Sequence, residues 1–328
     1  MRVLVTGGAG YIGSVTVRSL LDAGHEVVVL DTLEKGWRAA VDVRAALEVG
    51  SVGDRGALER VLPGCDAVMH LAGYIEVAES QADPERYFTN NVIAPGVLLD
   101  AMADHGVDAL VFSSTAAVYG QPSVVPITEE AQTSPLSAYG ASKLAFEQLL
   151  QERFRSQGLR SVSLRYFNAA GAWPDGSIGE AHRPESHLIP RVLSSLAAGR
   201  ATFGVYGDDY DTPDGTCVRD YVHVCDLASA HRSALELLAS GAPGGVFNLG
   251  GGRGYSNREV VAACAEVTGR DVRVEAGPRR AGDPAMLVAS RERATVQLGW
   301  NPERGGLRTI VEDAWRWHST HPEGYDRL

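Results

Sequence analysis

The chain has 328 residues, 45% apolar and 22% charged, which suits a soluble enzyme of one large or two moderate domains. Its formal charge of −11 argues against a nucleic-acid or anionic-membrane partner, while leaving room for a small anionic ligand held by a few arginines. No apolar run approaches membrane-spanning length, and Cys65, Cys217, Cys225 and Cys264 form no Cys-x-x-Cys pair. His182 and His187 stand in a loop-like stretch without a ligand pattern, so no metal is expected there. A first strand starting at the second residue leaves no room for a signal peptide, and a cytoplasmic protein with reduced thiols is expected.

In chain order, residues 2–5 read as a buried strand, followed by the turn Gly7-x-x-Gly10-x-x-Gly13 and an apolar-periodic helix stopped by Gly24. A second strand, 27–30, closes on Asp31, which completes a β-α-β unit. Further strands are predicted near 47–49 (weakly), 67–71, 110–113 and 161–166, with helices near 84–105 and 137–157. Alternation of this kind implies an α/β, Rossmann-type, doubly wound parallel sheet. After Asn168 the texture changes: 171–184 is rich in Gly, Pro and charge, and 203–223 carries short strands between Gly, Asp and Pro clusters. A helix over 222–238 and a strand over 246–249 read as a return to the first sheet, and from Ser256 a helix, a strand and a Trp-rich helix close the chain. The expected division is a dinucleotide-binding domain over 1–170, rejoined by about 222–250, and a smaller α/β C-terminal substrate-binding domain over 171–328. A cleft separates them.

The chemistry concentrates at two places. Glycines between a strand and a helix permit a tight turn and close approach of backbone to a pyrophosphate. Asp31, 18 residues past Gly13, would accept hydrogen bonds from the adenosine ribose and repel a 2′-phosphate, which favours NAD over NADP. The second place is Tyr139-Gly140-Ala141-Ser142-Lys143, which holds one of only two lysines, the other being Lys35. Four residues apart on a helix, the tyrosine and lysine share a face, and the ammonium favours the tyrosinate. An unperturbed tyrosine titrates at about 10, so its use at neutral pH asks for about 4 kcal/mol of stabilisation of the anion.

These residues resemble the extended short-chain dehydrogenase/reductase family, and within it the enzymes that invert C4 of UDP-hexoses. The likeness runs almost end to end, through Val5–Ser14, Asn90-Asn91-Val92, Phe112–Thr115, Val118-Tyr119-Gly120, Arg165–Asn168, Tyr206–Tyr210, Asp214-Gly215-Thr216, Val218–Val224 and 279–283. It implies NAD as cofactor, UDP-glucose and UDP-galactose as substrates, and a homodimer. Tyr139, Lys143 and Thr115 are implied as the catalytic set: Tyr139 takes and returns the 4-hydroxyl proton, and Thr115 orients it. The cofactor residues implied are Gly7, Gly10, Tyr11, Ile12 and Gly13 at the turn, and Asp31, Thr32, Leu33 and Gly36 after the second strand. Ser51 and Val52 follow the third strand, and Leu71, Ala72, Gly73 and Ile75 the fourth. Asn90, Ser113, Tyr166 and Phe167, with Tyr139 and Lys143, complete that set. On the substrate side stand Thr115, Asn168, His187, Leu188, Val205, Tyr206, Arg219, Tyr221, Arg280, Asp283 and Leu287. Arg219 and Arg280 are assigned to the diphosphate, and Tyr206 to the uracil.

The chain departs from that pattern at three places that concern cofactor grip or helix packing. No lysine follows the fourth strand in 71–76, Ser51 stands where an adenine-contacting carboxylate is usual, and Val15 replaces histidine. Retained activity with looser NAD is expected. Leu287 occupies the position that gates N-acetylated sugars and is intermediate in size, while Arg191 could face a 6-carboxylate. Ala116 and Ala117 stand where sugar-nucleotide dehydratases need an Asp–Glu pair and decarboxylating relatives a glutamate, which excludes both reactions. A dehydrogenase releasing NADH and a non-catalytic NAD-sensing protein are the remaining alternatives.

Overall fold

A computed structural model describes residues 1–280 and 283–325. Seven parallel strands form the main sheet, in the order Gly244–Leu249, Arg160–Tyr166, Ala109–Thr115, Ala67–His70, Arg2–Thr6, Glu26–Asp31, Ala46–Val49. Strands covered on both faces must be apolar on both. Val3, Val5, Met69 and Val111 pack on one side with helices Tyr11–Asp22 and Val224–Ala239. Leu4, Val68, Leu110 and Phe112 pack on the other with helices Arg55–Val61, Ala94–Asp104 and Ala138–Gln157. Strand order reverses between Arg2–Thr6 and Ala67–His70. Loops leaving the C-terminal ends of those two strands therefore diverge and open a crevice.

The second lobe is built on strand Val218–His223, which pairs antiparallel with Gly254–Ser256 and parallel with Asn168–Ala170 and Met286–Leu287. Thr202–Tyr206 and Arg273–Gly277 form a separate parallel pair. Helices Leu188–Ala197, Asn257–Thr268 and Leu307–Thr320 enclose a core that includes Ile189, Val192, Val260 and Ile310. Local signals are satisfied where they are strongest. Ser256 and Glu259 make a capping box at the start of Asn257–Thr268, and Gly269 ends that helix in the left-handed conformation.

The elements differ from the sequence expectation in a few places. The helix expected over 84–105 runs as Pro84–Phe88, a π turn Thr89–Ile93 and Ala94–Asp104. Pro95 has no N–H to offer the preceding turn, and the chain widens there. The helix expected from residue 222 begins at Val224, because Val222 and His223 end a strand paired with Ala169 and Ala170. Short helices Arg55–Val61, Val77–Ala82, Leu188–Ala197 and Glu292–Leu298 add to the elements read from the sequence. With so few turns, their apolar period has little length in which to show. Among the described residues no helix is long and apolar enough to cross a membrane.

Candidate active site

The glycine turn lies at the reversal point of the sheet. Gly7 has φ +74°, and a Cβ there would fall 2.4 Å from the Ala72 amide nitrogen; one on Gly13 would fall 2.1 Å from the Gly7 carbonyl oxygen. Side chains at either position would push the turn and the helix behind it apart. Gly10 caps helix Tyr11–Asp22 without a side chain, which leaves the positive end of the helix open to the cleft. Asp31 stands beside it. Its carboxylate accepts from the Ala9 and Leu33 amides at 3.0 and 2.9 Å, which oppose the upward push that burial gives its pKa. Leu33 is held at φ +59°, the one left-handed non-glycine among the described residues. The Ser51 hydroxyl accepts from the Gly53 amide at 3.1 Å.

Tyr139 and Lys143 lie on helix Ala138–Gln157, whose first turn is capped by the Ser137 hydroxyl accepting from Gly140 at 3.1 Å. Tyr139 lines the cleft, while Lys143 sits beneath its surface, 3% exposed, and donates to the Ser113 carbonyl at 2.9 Å. Burial pushes the Lys143 ammonium down to about 8, against the pull of Glu147. Burial pushes the Tyr139 phenol up; the Thr115 hydroxyl pulls it back, and the Glu76 carboxylate raises it further. The protein's own groups thus hold the Tyr139 phenol above the ordinary tyrosine value, and a positive charge in the cleft would bring it down. Thr115 ends strand Ala109–Thr115 and also accepts from the Ala117 amide at 3.1 Å. Asn91 carries the loop opposite: its Oδ1 accepts from the Tyr74 and Asn90 nitrogens, each at 2.9 Å, and its amide reaches Ser142 at 3.1 Å. Tyr166, which also lines the cleft, shares a short hydrogen bond with His231.

The second lobe supplies the facing wall. Arg219 pairs with Asp283 at 2.8 Å, and the Arg280 guanidinium lies 4.1 Å over the Tyr206 ring. Asn168 donates to the Asp220 carbonyl at 2.9 Å. His187, Leu188, Tyr221 and Leu287 line the same cleft, as do the cofactor-side residues from Gly7 to Phe167 assigned above, Lys143 excepted. Val205 does not: it is packed into the second-lobe core. Arg191 lies over Phe203, and it adds to the larger effect of Arg280 in holding the Tyr206 phenol down. Ala281 and Gly282 of the 279–283 stretch lie outside the described residues. Leu136, Ser137, Glu180 and Asn257 line the cleft without having been singled out, since they arrive on separate loops and element ends with no shared spacing.

Residues 3–250 match the family model described as the NAD-dependent epimerase/dehydratase family. The chain belongs to this family. A UDP-glucose 4-epimerase of Corynebacterium glutamicum is 51% identical over 321 residues, 97% of this chain and 96% of its own. The crystal structure of UDP-glucose 4-epimerase from Brucella ovis in complex with NAD superposes with a TM-score of 0.92 at 44% identity, covering 96% of this chain and 97% of the other. A third UDP-glucose 4-epimerase, from Bifidobacterium longum in complex with NAD+ and UDP, gives a TM-score of 0.92 at 36% identity, over 99% and 100% of the two chains.

The epimerase/dehydratase family takes NAD, and the residues here fit it. The turn at Gly7 and Gly13 has no room for a side chain, the helix end behind Gly10 is open to a pyrophosphate, and Asp31 keeps lone pairs for a ribose. The cleft measures about 1870 Å³, well above the roughly 300–1,000 Å³ of a site for one small ligand.

Proposed function

We infer that the protein interconverts UDP-glucose and UDP-galactose by oxidising C4, turning the 4-keto sugar and reducing it on the other face. The observation that carries this is a single cleft shared by the glycine turn, the Thr115–Tyr139 pair and the guanidinium groups of Arg219 and Arg280. Relatives in complex with NAD, and with NAD+ and UDP, support the pairing of ligands. Bound NAD supplies the hydride acceptor at C4 and the hydride donor for the return. Tyr139 takes the 4-hydroxyl proton in the first half and gives it back in the second, with Thr115 aligning the hydroxyl and Lys143 favouring the tyrosinate. Arg219, preset by Asp283, and Arg280, stacked on Tyr206, anchor the diphosphate while the sugar turns. Ala116 and Ala117 line the cleft beside Thr115 and carry no group that could move a proton at C5 or C6. The chemistry therefore stays at C4.

In this reading residues 1–170 with 222–250 hold NAD, and 171–328 grip the UDP-sugar. The protein works in the cytoplasm as a homodimer. Exposed Ile93 and Phe154, on the helical stretches 84–104 and 138–157, offer apolar contact for a second copy.

Proton NMR of the purified protein with UDP-galactose and no added NAD tests the assignment. UDP-glucose should appear, and Tyr139→Phe should slow its formation about 10²- to 10⁴-fold. Conversion only after NAD is added would show that the altered contacts at Ser51 and in 71–76 loosen the cofactor. Silence in both conditions overturns UDP-galactose as substrate and moves the assay to UDP-N-acetylhexosamines, for Leu287, and to UDP-glucuronate, for Arg191.

A further inference from the structure

Glu180, His182, Glu185 and His187 come from the loop that precedes helix Leu188–Ala197 and from the residue that caps it. Folding brings one ligating atom from each within 4.8 Å of all the others. The Nδ1 atoms of the two histidines face the carboxylates at 2.7 and 3.0 Å from Glu180 and at 3.2 and 3.6 Å from Glu185. Donors bound tetrahedrally at about 2.0–2.1 Å stand about 3.3 Å apart, so the set needs only small adjustments to enclose an ion.

Charge points the same way. Glu180 is 4% exposed, and among the described residues no lysine or arginine pairs with it or with Glu185. Arg183, between them in sequence, lies over the Trp37 ring and donates to the Glu323 carbonyl. Two carboxylates in this position are balanced either by ring protons or by one dication. The Glu185 carboxylate is further oriented by the His187 amide, which donates to it at 2.8 Å. Glu180, His182 and His187 line the cleft, which gives an ion a path in.

We propose that Glu180, His182, Glu185 and His187 bind one divalent transition-metal cation, Zn²⁺ foremost. Paired imidazoles select zinc, cobalt or nickel over magnesium and calcium, which prefer an all-oxygen shell. The ion fastens the 180–187 loop to the start of helix Leu188–Ala197. It also sets His182 edge-on to Tyr11 of the glycine turn, with the ring centroids 6.2 Å apart. His187 then presents only Nε2 to the cleft. The site shares His187 and one wall of the cleft with the epimerase reading, but ion binding does not depend on that reading.

Cobalt titration of the chelator-treated full-length protein decides the matter. One Co²⁺ per chain is expected, with the strong visible d–d bands of a tetrahedral N/O site, displaced by Zn²⁺ and not by Mg²⁺. His182→Ala and Glu180→Gln should each weaken binding at least about 100-fold, with the far-UV spectrum unchanged. If either fails to fold, the half-buried Glu185→Gln serves in its place. No stoichiometric d–d signal in the wild type would overturn the proposal. So would a thiolate charge-transfer band or affinity undiminished in the variants, because the ion would then sit elsewhere or nowhere.

Discussion

At the residue scale the catalytic proposal rests on opposed effects at one phenol. Burial and Glu76 raise the Tyr139 pKa, and the Thr115 hydroxyl lowers it. Only the deprotonated phenol can accept the sugar proton, so whatever raises its pKa moves the acid limb of the rate profile to higher pH. Thr115→Val removes a lowering contact. Its kcat should therefore fall most at low pH and recover towards the parent value as pH rises, which a pH–rate profile by NMR would show. A purely structural role for Thr115 would depress the rate equally at all pH values. The Tyr139–Lys143 pair was visible in the sequence because a one-turn helical spacing is a local fact, whereas Thr115 entered only through the family resemblance. Val205 was assigned to the substrate side, and the structure buries it in the second-lobe core. A single apolar residue in an alternating strand carries no mark of which face will meet a ligand.

At the element scale, helix Ala138–Gln157 is tied to the sheet by more than apolar packing. Glu147, one turn beyond Lys143, accepts two bonds from Arg165, at 2.9 and 2.5 Å, and one from Ser114. Arg165 continues to the Tyr119 hydroxyl at 2.8 Å, and Tyr119 to Asn248 at 2.7 Å. The chain of bonds thus links strands Ala109–Thr115, Arg160–Tyr166 and Gly244–Leu249 with the helix that bears Tyr139. Truncating one member of a buried pair leaves the other charge without a partner, which costs about 3–5 kcal/mol. Glu147→Ala should lose that much stability in urea denaturation. Sequence could identify the strands, through their length and β-branched runs, but the polar cross-ties depend on register and were not readable.

At the scale of the whole molecule, two buried histidines bear on the pH range of the fold. His70, bonded to Thr6 at 2.7 Å, is pushed down by burial to about 3, and His231 to about 4. Both values lie below the ordinary 6.5, so the unfolded chain binds more protons than the folded one once pH drops under 6.5. Stability is fully present above 6.5 and declines towards pH 3–4, by on the order of several kcal/mol for the two rings together. The melting temperature should fall across that window. His70→Asn, which keeps a polar partner for Thr6 and removes the titrating ring, should flatten the decline.

By itself the sequence determined the parallel α/β sheet, the glycine turn with its acidic partner, and the Tyr–Lys pair. Each of these is written in a period or a spacing of a few residues, and neighbouring residues are enough to set it. Only the tertiary structure decided which residues share the cleft. Arg219 and Asp283 are 64 residues apart in the chain yet paired at 2.8 Å, and Glu180 and His187 face each other across a loop whose fold no periodicity announces. Contacts of that kind are made when the two lobes and their loops pack, so their geometry follows from the whole fold and not from any local stretch of it.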